Sequence, residues 1–578
     1  MGRKRTLGLS NIFGTIGFKN KNRGTSETQD KSADALSYVG EAVYSALKFK
    51  HAFFHHQQWN VTFGKVVGKL QHTPRDAWTR EDGDVKPGHD DWFPEKIGEI
   101  IGRTEVWCDV LTLAPPDGLF LEEINKALRK LSQRSIDEGE VIVVRMMFGN
   151  LPAMPVNCDN VIKQLTHGIP NDDSTNLRLW VGAWRKHLSW NHAKIIAVDG
   201  QYLHTGGHNL WDPHYLKHDP VHDLSIEMEG GVAYDGHRYA NAQWDFIAKK
   251  QHTVVGWITD KIPDNLPVAA VTRVTVSEFP KGVARIYPDN FDIDLVHRPW
   301  VDEAVPVITI GRYGAMNWKA RPADDAILAM IDSARKSIRM ALQDLGPVCL
   351  PNTKIPLPGL VWPKKYMNAL AQAIWSRDVQ VEIVLSHPNS MPGGLGPTEA
   401  NYGNGWTCVD VAAYIIKRIT KTFPGAADLQ LRKNVEENLR VCFIKQKIGR
   451  AYSSGMQMGM HAKHFIIDDK CAYIGSQNLY VCDLAEWGVV VDNEKETKKM
   501  MEEYWNPMWK ASYMGDDCPV QEVMDGLHIE RDPEANKKRN MFPVREAMDG
   551  LHIERDPEAN KKNNMFHKQK KDDEEMWL

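Results

Sequence analysis

One pattern occurs twice in this 578-residue chain and constrains its fold more than any other feature. The first copy reads Ser189-Trp-Asn-His192-Ala-Lys194-Ile-Ile-Ala-Val-Asp199, then six residues, then Gly206-Gly207-His208-Asn209. The second reads Met460-His461-Ala-Lys463-His-Phe-Ile-Ile-Asp468, then six residues, then Gly475-Ser476-Gln477-Asn478. Both obey H-x-K-x4-D-x6-G-G/S-x-N. By composition the H-x-K-x4-D core arises by accident about 0.1 times in such a chain, and the spaced Gly and Asn bring one full copy to about 10⁻⁴. Two copies by coincidence are excluded.

The spacing has a physical reading. Side chains at i and i+2 of a strand share a face, so His192 projects with Lys194 and His461 with Lys463. The Gly-Gly or Gly-Ser pair lets the backbone pass close to a bound group, and Asn209 and Asn478 then offer amides. Each half supplies an imidazole, an ammonium and an amide. Face to face, the two sets suit a phosphoryl group: lysines neutralise its oxygens, fixed donors stabilise the five-coordinate state, and histidine acts as nucleophile or acid/base near neutral pH. An imidazole in that role needs its second nitrogen held by a carboxylate or carbonyl. Asp223 (in Pro220-Val-His-Asp223) and Glu486 (in Leu484-Ala-Glu486) each precede an apparent strand beyond their motif, and are expected to orient His192 and His461. Asp199 and Asp468 complete the catalytic signature and are expected to brace the motif more than touch substrate.

The surrounding pattern is α/β. Strand-like runs (Val141–Met147, Lys194–Val198, Val381–Leu385, His464–Ile467) alternate with helical spacing over Leu119–Leu131 and Asp325–Met340. Residues 255–323 hold short Pro-containing segments and read as a connection between halves; His387–Asn404 is loop chemistry too long for a simple turn and reads as a lid or a binding loop. The expected organisation is a basic disordered tail (1–36), a first half (37–315) with motif 192–209, a second half (316–515) with motif 461–478, and a polar tail (516–578). That tail carries a duplication: Met524–Lys538 recurs unchanged as Met548–Lys562, at a period of 24 residues. Two polar copies do not make a solenoid and read as a surface tail.

Composition excludes several classes. With 71 Lys+Arg against 75 Asp+Glu, the net charge of −4 argues against a nucleic-acid coat. No apolar run reaches a membrane span, and no secretory signal is visible. The eight cysteines have no CxxC or Cys/His spacing, which points to free thiols and no metal site. The first 24 residues hold Arg3, Lys4, Arg5, Lys19, Lys21 and Arg23 and no acid. They fit a solvated tail, an organelle transit peptide, or an N-myristoylation pattern at Gly2 and Thr6. The location expected is cytoplasmic or peripheral to a membrane. His55, His56, His204, His208, His214, His218 and His222 read as surface or supporting residues. Trp184, Trp190, Trp211, Tyr480 and Trp487 read as packing, with one or two at the site mouth.

The duplicated motif resembles the HKD signature of the phospholipase D superfamily. Ser189-Trp-Asn-His192, Val198-Asp-Gly200, Thr205-Gly-Gly207, Val305-Pro-Val-Ile-Thr-Ile-Gly311 and Ile474-Gly-Ser-Gln-Asn-Leu-Tyr480 resemble secreted bacterial (actinomycete-type) phospholipase D over residues 90–512. The resemblance implies two similar halves, each a mixed β-sheet flanked by helices, forming a pseudo-dimer with one shared site in a monomeric chain. It also implies cofactor- and metal-independent chemistry. His192 would attack phosphorus; His461 would protonate the leaving alcohol and then activate water or an acceptor alcohol. Lys194, Lys463, Asn209 and Asn478 would hold the phosphoryl oxygens. The implied substrate is a phosphatidylcholine-like lipid at a membrane surface, with no nucleic acid as partner. A phospholipid synthase working by phosphatidyl transfer, or a nuclease, is the alternative on the same scaffold. Glu486 stands where the family pattern leads one to expect Asp, and the C-terminal tail is additional.

Overall fold

The computed structural model describes residues 35–530 apart from 82–83, 152–154, 171–174, 187–188, 217–218, 252–275, 281–287, 296–300, 315–320, 350–354, 357–361, 363, 388–389, 391–405, 425–427, 448–450 and 481–483. The basic first 24 residues, most of His387–Asn404 and the second repeat copy lie outside the described residues.

Helix α1 (Tyr38–His51) is capped by Ser37, whose side chain accepts the Gly40 N–H, and leads through a short 3-10 turn (Ala52–Phe54) into strand β1 (Trp59–Val66). After β2 (Gln71–Thr73) and helix α2 (Trp92–Gly102), two β-α-β units with parallel strands follow. They comprise β3 (Trp107–Thr112), α3 (Gly118–Glu138), β4 (Ile142–Gly149), α4 (Cys158–Leu165) and β5 (Leu177–Lys186). Gly139, at φ 70°, ends α3, because a left-handed residue cannot continue the helix. The chain then makes β6 (Ser189–Trp190) and the meander β7 (Ile195–Val198), β8 (Tyr202–Gly206) and β9 (Asp223–Glu229), followed by α5 (Val232–Gln251), β10 (Val276–Phe279) and β11 (Val305–Tyr313).

The same order then repeats. Helix α6 (Pro322–Ser333) precedes β12 (Ser337–Leu342), α7 (Lys364–Arg377), β13 (Gln380–Leu385), α8 (Cys408–Thr422), α9 (Asp428–Asn438) and β14 (Leu439–Phe443). A second meander, β15 (Lys463–Ile467), β16 (Cys471–Gly475) and β17 (Ala485–Val491), completes it. In the first sheet β5–β4–β3 are parallel and β3–β7–β8–β9 antiparallel. In the second, β14–β13–β12 are parallel and β12–β15–β16–β17 antiparallel. Strand β1 joins them: Lys65 and Val66 pair with β9, and Trp59–Gly64 pair with β11, which pairs with β17. The fold is therefore α/β, with two like halves and mixed sheets flanked by helices.

One apolar cluster runs through both halves, bringing Ile195, Ala197 and Ile226 together with Ala341, Val384, Ala462 and Ile466. It holds the two motif strands against each other.

Three sequence expectations are corrected. Helical spacing over Asp325–Met340 contains a helix only to Ser333, and Ser337–Leu342 is a strand. The Asp468 carboxylate accepts the N–H groups of Arg335, Lys336 and Ser337, 2.7 Å each, and turns the chain into the sheet. The connection 255–323 contributes β11, fully inside the sheet. The C-terminal region does not begin as a polar tail at 516. Helix α10 (Val520–Gly526) packs on α8 and α9, with Met524 and Ile529 buried and Arg432 pairing with Asp525. The first residues of the first repeat copy are thus core, because a polar-looking stretch carries two apolar anchors spaced for a helix and its exit.

Candidate active site

Each motif approaches its strand as an extended segment. His192 and Lys194 lie just before β7, and Lys463 opens β15. The His192 N–H donates to the Ala485 carbonyl at 2.8 Å, and the His461 N–H donates to the His222 carbonyl at 2.7 Å. Both bonds cross from one half to the other, and each lands on the residue immediately before an acid. The carboxylates are therefore exchanged. His192 Nδ1 lies 3.0 Å from Glu486 Oε2, and His461 Nδ1 lies 2.6 Å from Asp223 Oδ2.

The two imidazole centroids are 6.5 Å apart, a gap with room for one tetrahedral phosphoryl group between the rings. Lys194 Nζ donates to the His192 carbonyl at 2.8 Å, and Lys463 Nζ donates to the His461 carbonyl. Asn209 and Asn478 are buried beside them. Neither polar atom of the Asn478 amide has a hydrogen-bond partner within the protein, and Asn209 Oδ1 has none. Buried amides left this way are costly unless a ligand satisfies them.

Burial sets the electrostatics. It pushes His192 down to about 4 against the opposing pull of Glu486, and pushes His461 well below its ordinary value with Lys463 and Lys194 adding to the effect. Burial likewise lowers Lys194 to about 7 and Lys463 to about 8. Burial alone would raise the Glu486 carboxyl, but His192, Arg312 and Lys194 bring it below its usual value. An anionic phosphodiester would supply counter-charge to the two lysines and favour the protonated form of a neighbouring imidazole.

The acids are braced by residues that sequence reasoning did not single out. Ser476 Oγ donates to Glu486 Oε2 at 2.5 Å, and the buried Arg312 lies 3.9 Å from Oε1, across the β11–β17 register. Tyr215 donates its hydroxyl to Asp223 Oδ2 at 2.8 Å while accepting the Asn209 N–H at 3.0 Å. Ser476 alone carried a signal, since it is the position where the two motifs differ, Ser against Gly207. The reason for glycine there is steric: a Cβ on Gly207 would lie 2.0 Å from Asp223 Oδ1 and 2.9 Å from the His461 carbonyl. Gly207→Ala is therefore expected to shift Asp223 off His461 and lower kcat about 100-fold, with KM changed less. An unaltered kcat in steady-state assay would show that the Asp223–His461 contact is dispensable.

Asp199 and Asp468 face away from the histidines. Asp199 accepts the N–H groups of Glu105, Val106 and Trp107 at 2.7, 2.9 and 2.6 Å, the counterpart of the Asp468 arrangement, and both residues have positive φ. They tie the motif turn to the start of β3 or β12. Of the other histidines, His204, His208 and His222 are buried and not at the surface. His208 bridges Thr73 Oγ1 and Ser225 Oγ, and His222 contacts the Tyr504 hydroxyl at 2.9 Å. Trp184 and Trp487 are packed in the interior. Among the described residues no group of three or more His, Cys, Asp or Glu side chains could hold a metal ion.

The chain is similar to several known proteins. Residues 327–509 match the family model described as "Cardiolipin synthase, PLD-like domain". A phospholipase D of Streptomyces antibioticus is 23% identical over 461 residues, covering 74% of this chain and 78% of that protein. Cardiolipin synthase A of Pseudomonas putida (strain GB-1) is 25% identical over 147 residues, 25% of this chain and 30% of that protein. The solved phosphatidylserine synthase of Haemophilus influenzae Rd KW20 superposes with a TM-score of 0.45 at 12% identity, over 86% of this chain and 99% of that one. Residues 327–509 thus carry a PLD-like domain of the cardiolipin synthase and phospholipase D kind, and the two HKD motifs that close on one another across like halves are similar to those of phospholipase D superfamily proteins.

Proposed function

We propose that the protein is a phospholipase D. It hydrolyses phosphatidylcholine-like glycerophospholipids to phosphatidic acid and free headgroup, and passes the phosphatidyl group to alcohols when these are present. The observation that carries the reading is the single pair of histidines, 6.5 Å apart, each held at Nδ1 by its own carboxylate. With Nδ1 occupied, Nε2 of each ring is the reacting atom. His192 Nε2 attacks phosphorus as His461 Nε2 delivers its proton to the headgroup oxygen; the P–O bond breaks and a phosphohistidine forms. Neutral His461 then takes a proton from water, the new P–O bond releases phosphatidate, and His192 is restored. Lys194 and Lys463 neutralise the phosphoryl oxygens, and the unpartnered Asn478 amide and Asn209 Oδ1 supply further polar contacts. The relative matched along most of its length is a phospholipase D, which supports hydrolysis.

A second reading, phosphatidyl transfer by a phospholipid synthase, is favoured by the family match over residues 327–509. One assay separates them: choline release from phosphatidylcholine vesicles, with and without a primary alcohol and with a chelator present, beside a DNA substrate. Choline release without alcohol supports the hydrolase. Product only when alcohol is added supports the synthase, and DNA cleavage without lipid turnover sinks both.

The pH profile follows from the buried cations. kcat/KM reports the free protein. It is expected to fall as His461 loses the proton it delivers, below its ordinary value because of burial, and to fall further as Lys194 and then Lys463 lose theirs at about 7 and 8. An alkaline limb that first appears near the ordinary lysine value of about 10.4 would remove the lysines from that role.

A further inference from the structure

The last turn of α1 and the 3-10 turn after it carry a feature that the catalytic reading leaves unused. Phe49 and Phe53 are 90% and 89% exposed, the most exposed large apolar side chains among the described residues. The helix explains why neither can fold inward. Its buried face is Val39, Val43, Leu47 and His51, and Phe49 lies two residues from both Leu47 and His51, on the opposite side. Phe53 follows four residues later and packs edge-on against Phe54, ring centroids 5.4 Å apart. Exposed Lys48 and Lys50 flank Phe49. Asp325 is faced by Lys50 at 3.5 Å, His51 at 2.9 Å and the partly exposed Lys365 at 3.4 Å, and the exposed Asp332 lies within electrostatic reach of Lys50 and of Arg377. The patch is thus apolar at its tip and cationic around it.

Its place in the fold ties it to the site. His51 bonds Asp325, the next residue after Asp324. Asp324 accepts from Gln477 Nε2 at 2.7 Å and pairs with Arg312, which faces Glu486 across the sheet. The Gly311 N–H donates to the Gln58 carbonyl, so the turn carrying Phe53 enters β1 at the end of β11 that delivers Arg312. Two bare phenylalanines ringed by lysines, at the catalytic end of the sheets, match the chemistry of an interface between headgroups and acyl chains.

We propose that Phe49 and Phe53, flanked by Lys48 and Lys50, are the element by which the protein docks on an anionic lipid bilayer. The proposal rests on the reading that the substrate is a membrane phospholipid. The phenyl rings enter the acyl boundary and the lysines meet the anionic headgroups, so the catalytic end faces the membrane. A product such as phosphatidic acid would add to the negative charge that holds the protein there.

The test is co-sedimentation of the full chain with vesicles of phosphatidylcholine containing phosphatidylserine, and with pure phosphatidylcholine vesicles. Phe49→Ser with Phe53→Ser is expected to weaken binding to both by about tenfold or more. Lys48→Glu with Lys50→Glu is expected to weaken binding to the anionic vesicles by more than about tenfold, given about fivefold per lysine, and to leave the neutral vesicles nearly unaffected. Both variants should keep the wild-type thermal midpoint and the wild-type rate on a short-chain phosphatidylcholine below its micelle concentration, since neither pair touches the site. Wild type that sediments with no vesicle, or variants that sediment as wild type does, would overturn the docking face. Wild type that binds through Phe49 and Phe53 but turns over neither vesicle nor monomeric lipid would sink the phospholipase reading and leave the docking face standing.

Discussion

His192→Ala is expected to lower kcat at least about 10⁴-fold, because under the proposed mechanism it removes the group that makes the covalent intermediate and leaves only binding and charge stabilisation. His461→Ala should differ in kind. On a choline ester it is equally damaging, since the poor leaving group needs the proton that His461 delivers. On a p-nitrophenyl phosphodiester, whose leaving group needs no proton, the first step survives and the second lacks its base. The His461→Ala protein should then release about one equivalent of nitrophenol and hold a phosphoryl group on His192. Rapid quench followed by peptide mapping reads this directly. Label on His461 of the wild type, or lipid turnover that survives either substitution, would overturn the assignment. The crossing of the carboxylates adds a condition: Glu486 sits behind His192, so damage at Glu486 should slow formation of the adduct, whereas damage at Asp223 should slow proton delivery and breakdown.

The fold itself should fail in mild acid. Burial holds His192, His204, His214 and His464 down to about 4 and His208 and His222 down to about 3. Their unfolded value is near 6.5, so between 6.5 and about 4 the unfolded chain binds more protons and acid favours it. Stability is present above that window and lost as pH falls through it. At about pH 5 each buried imidazole costs about 2 kcal/mol, and half the combined penalty of six is comparable with the 5–15 kcal/mol net stability of a typical protein. Thermal midpoints by circular dichroism should fall steeply from about pH 6.5 to 5, with proton uptake on unfolding. A midpoint that stays level over that interval would mean the imidazoles find solvent without unfolding.

Much of the site was legible because its chemistry is written in short spacings. His192, Lys194, His461, Lys463 and the two asparagines stand at fixed offsets, and Asp223 and Glu486 each lie at a strand start just beyond. What the spacing does not carry is which half supplies which acid. That follows from two backbone bonds, His192 to Ala485 and His461 to His222, between residues hundreds of positions apart. Arg312 escaped for the same reason: it sits in a stretch read as a connection, and only the pairing of β11 with β17 places it behind Glu486. The overlong helix at Asp325–Met340 failed because apolar periodicity continued past Ser333, while a distant carboxylate, Asp468, captured the next three N–H groups. Local pattern predicted the elements; long-range polar contacts decided where they stop.

The exchanged acids also make the site report on its own assembly. A half that folds alone holds a histidine without its partner carboxylate, which sits on the other half. Opening the seam along β1, β11 and β17 would disarm both imidazoles at once, so a misassembled or partly opened molecule is inert and not half-active. Two changes that are far apart in the chain, one at a histidine and one at the opposite half's acid, fall on a single catalytic pair. Any rebuilding of this protein has to treat the residues in crossed pairs, since neither half is a separable module.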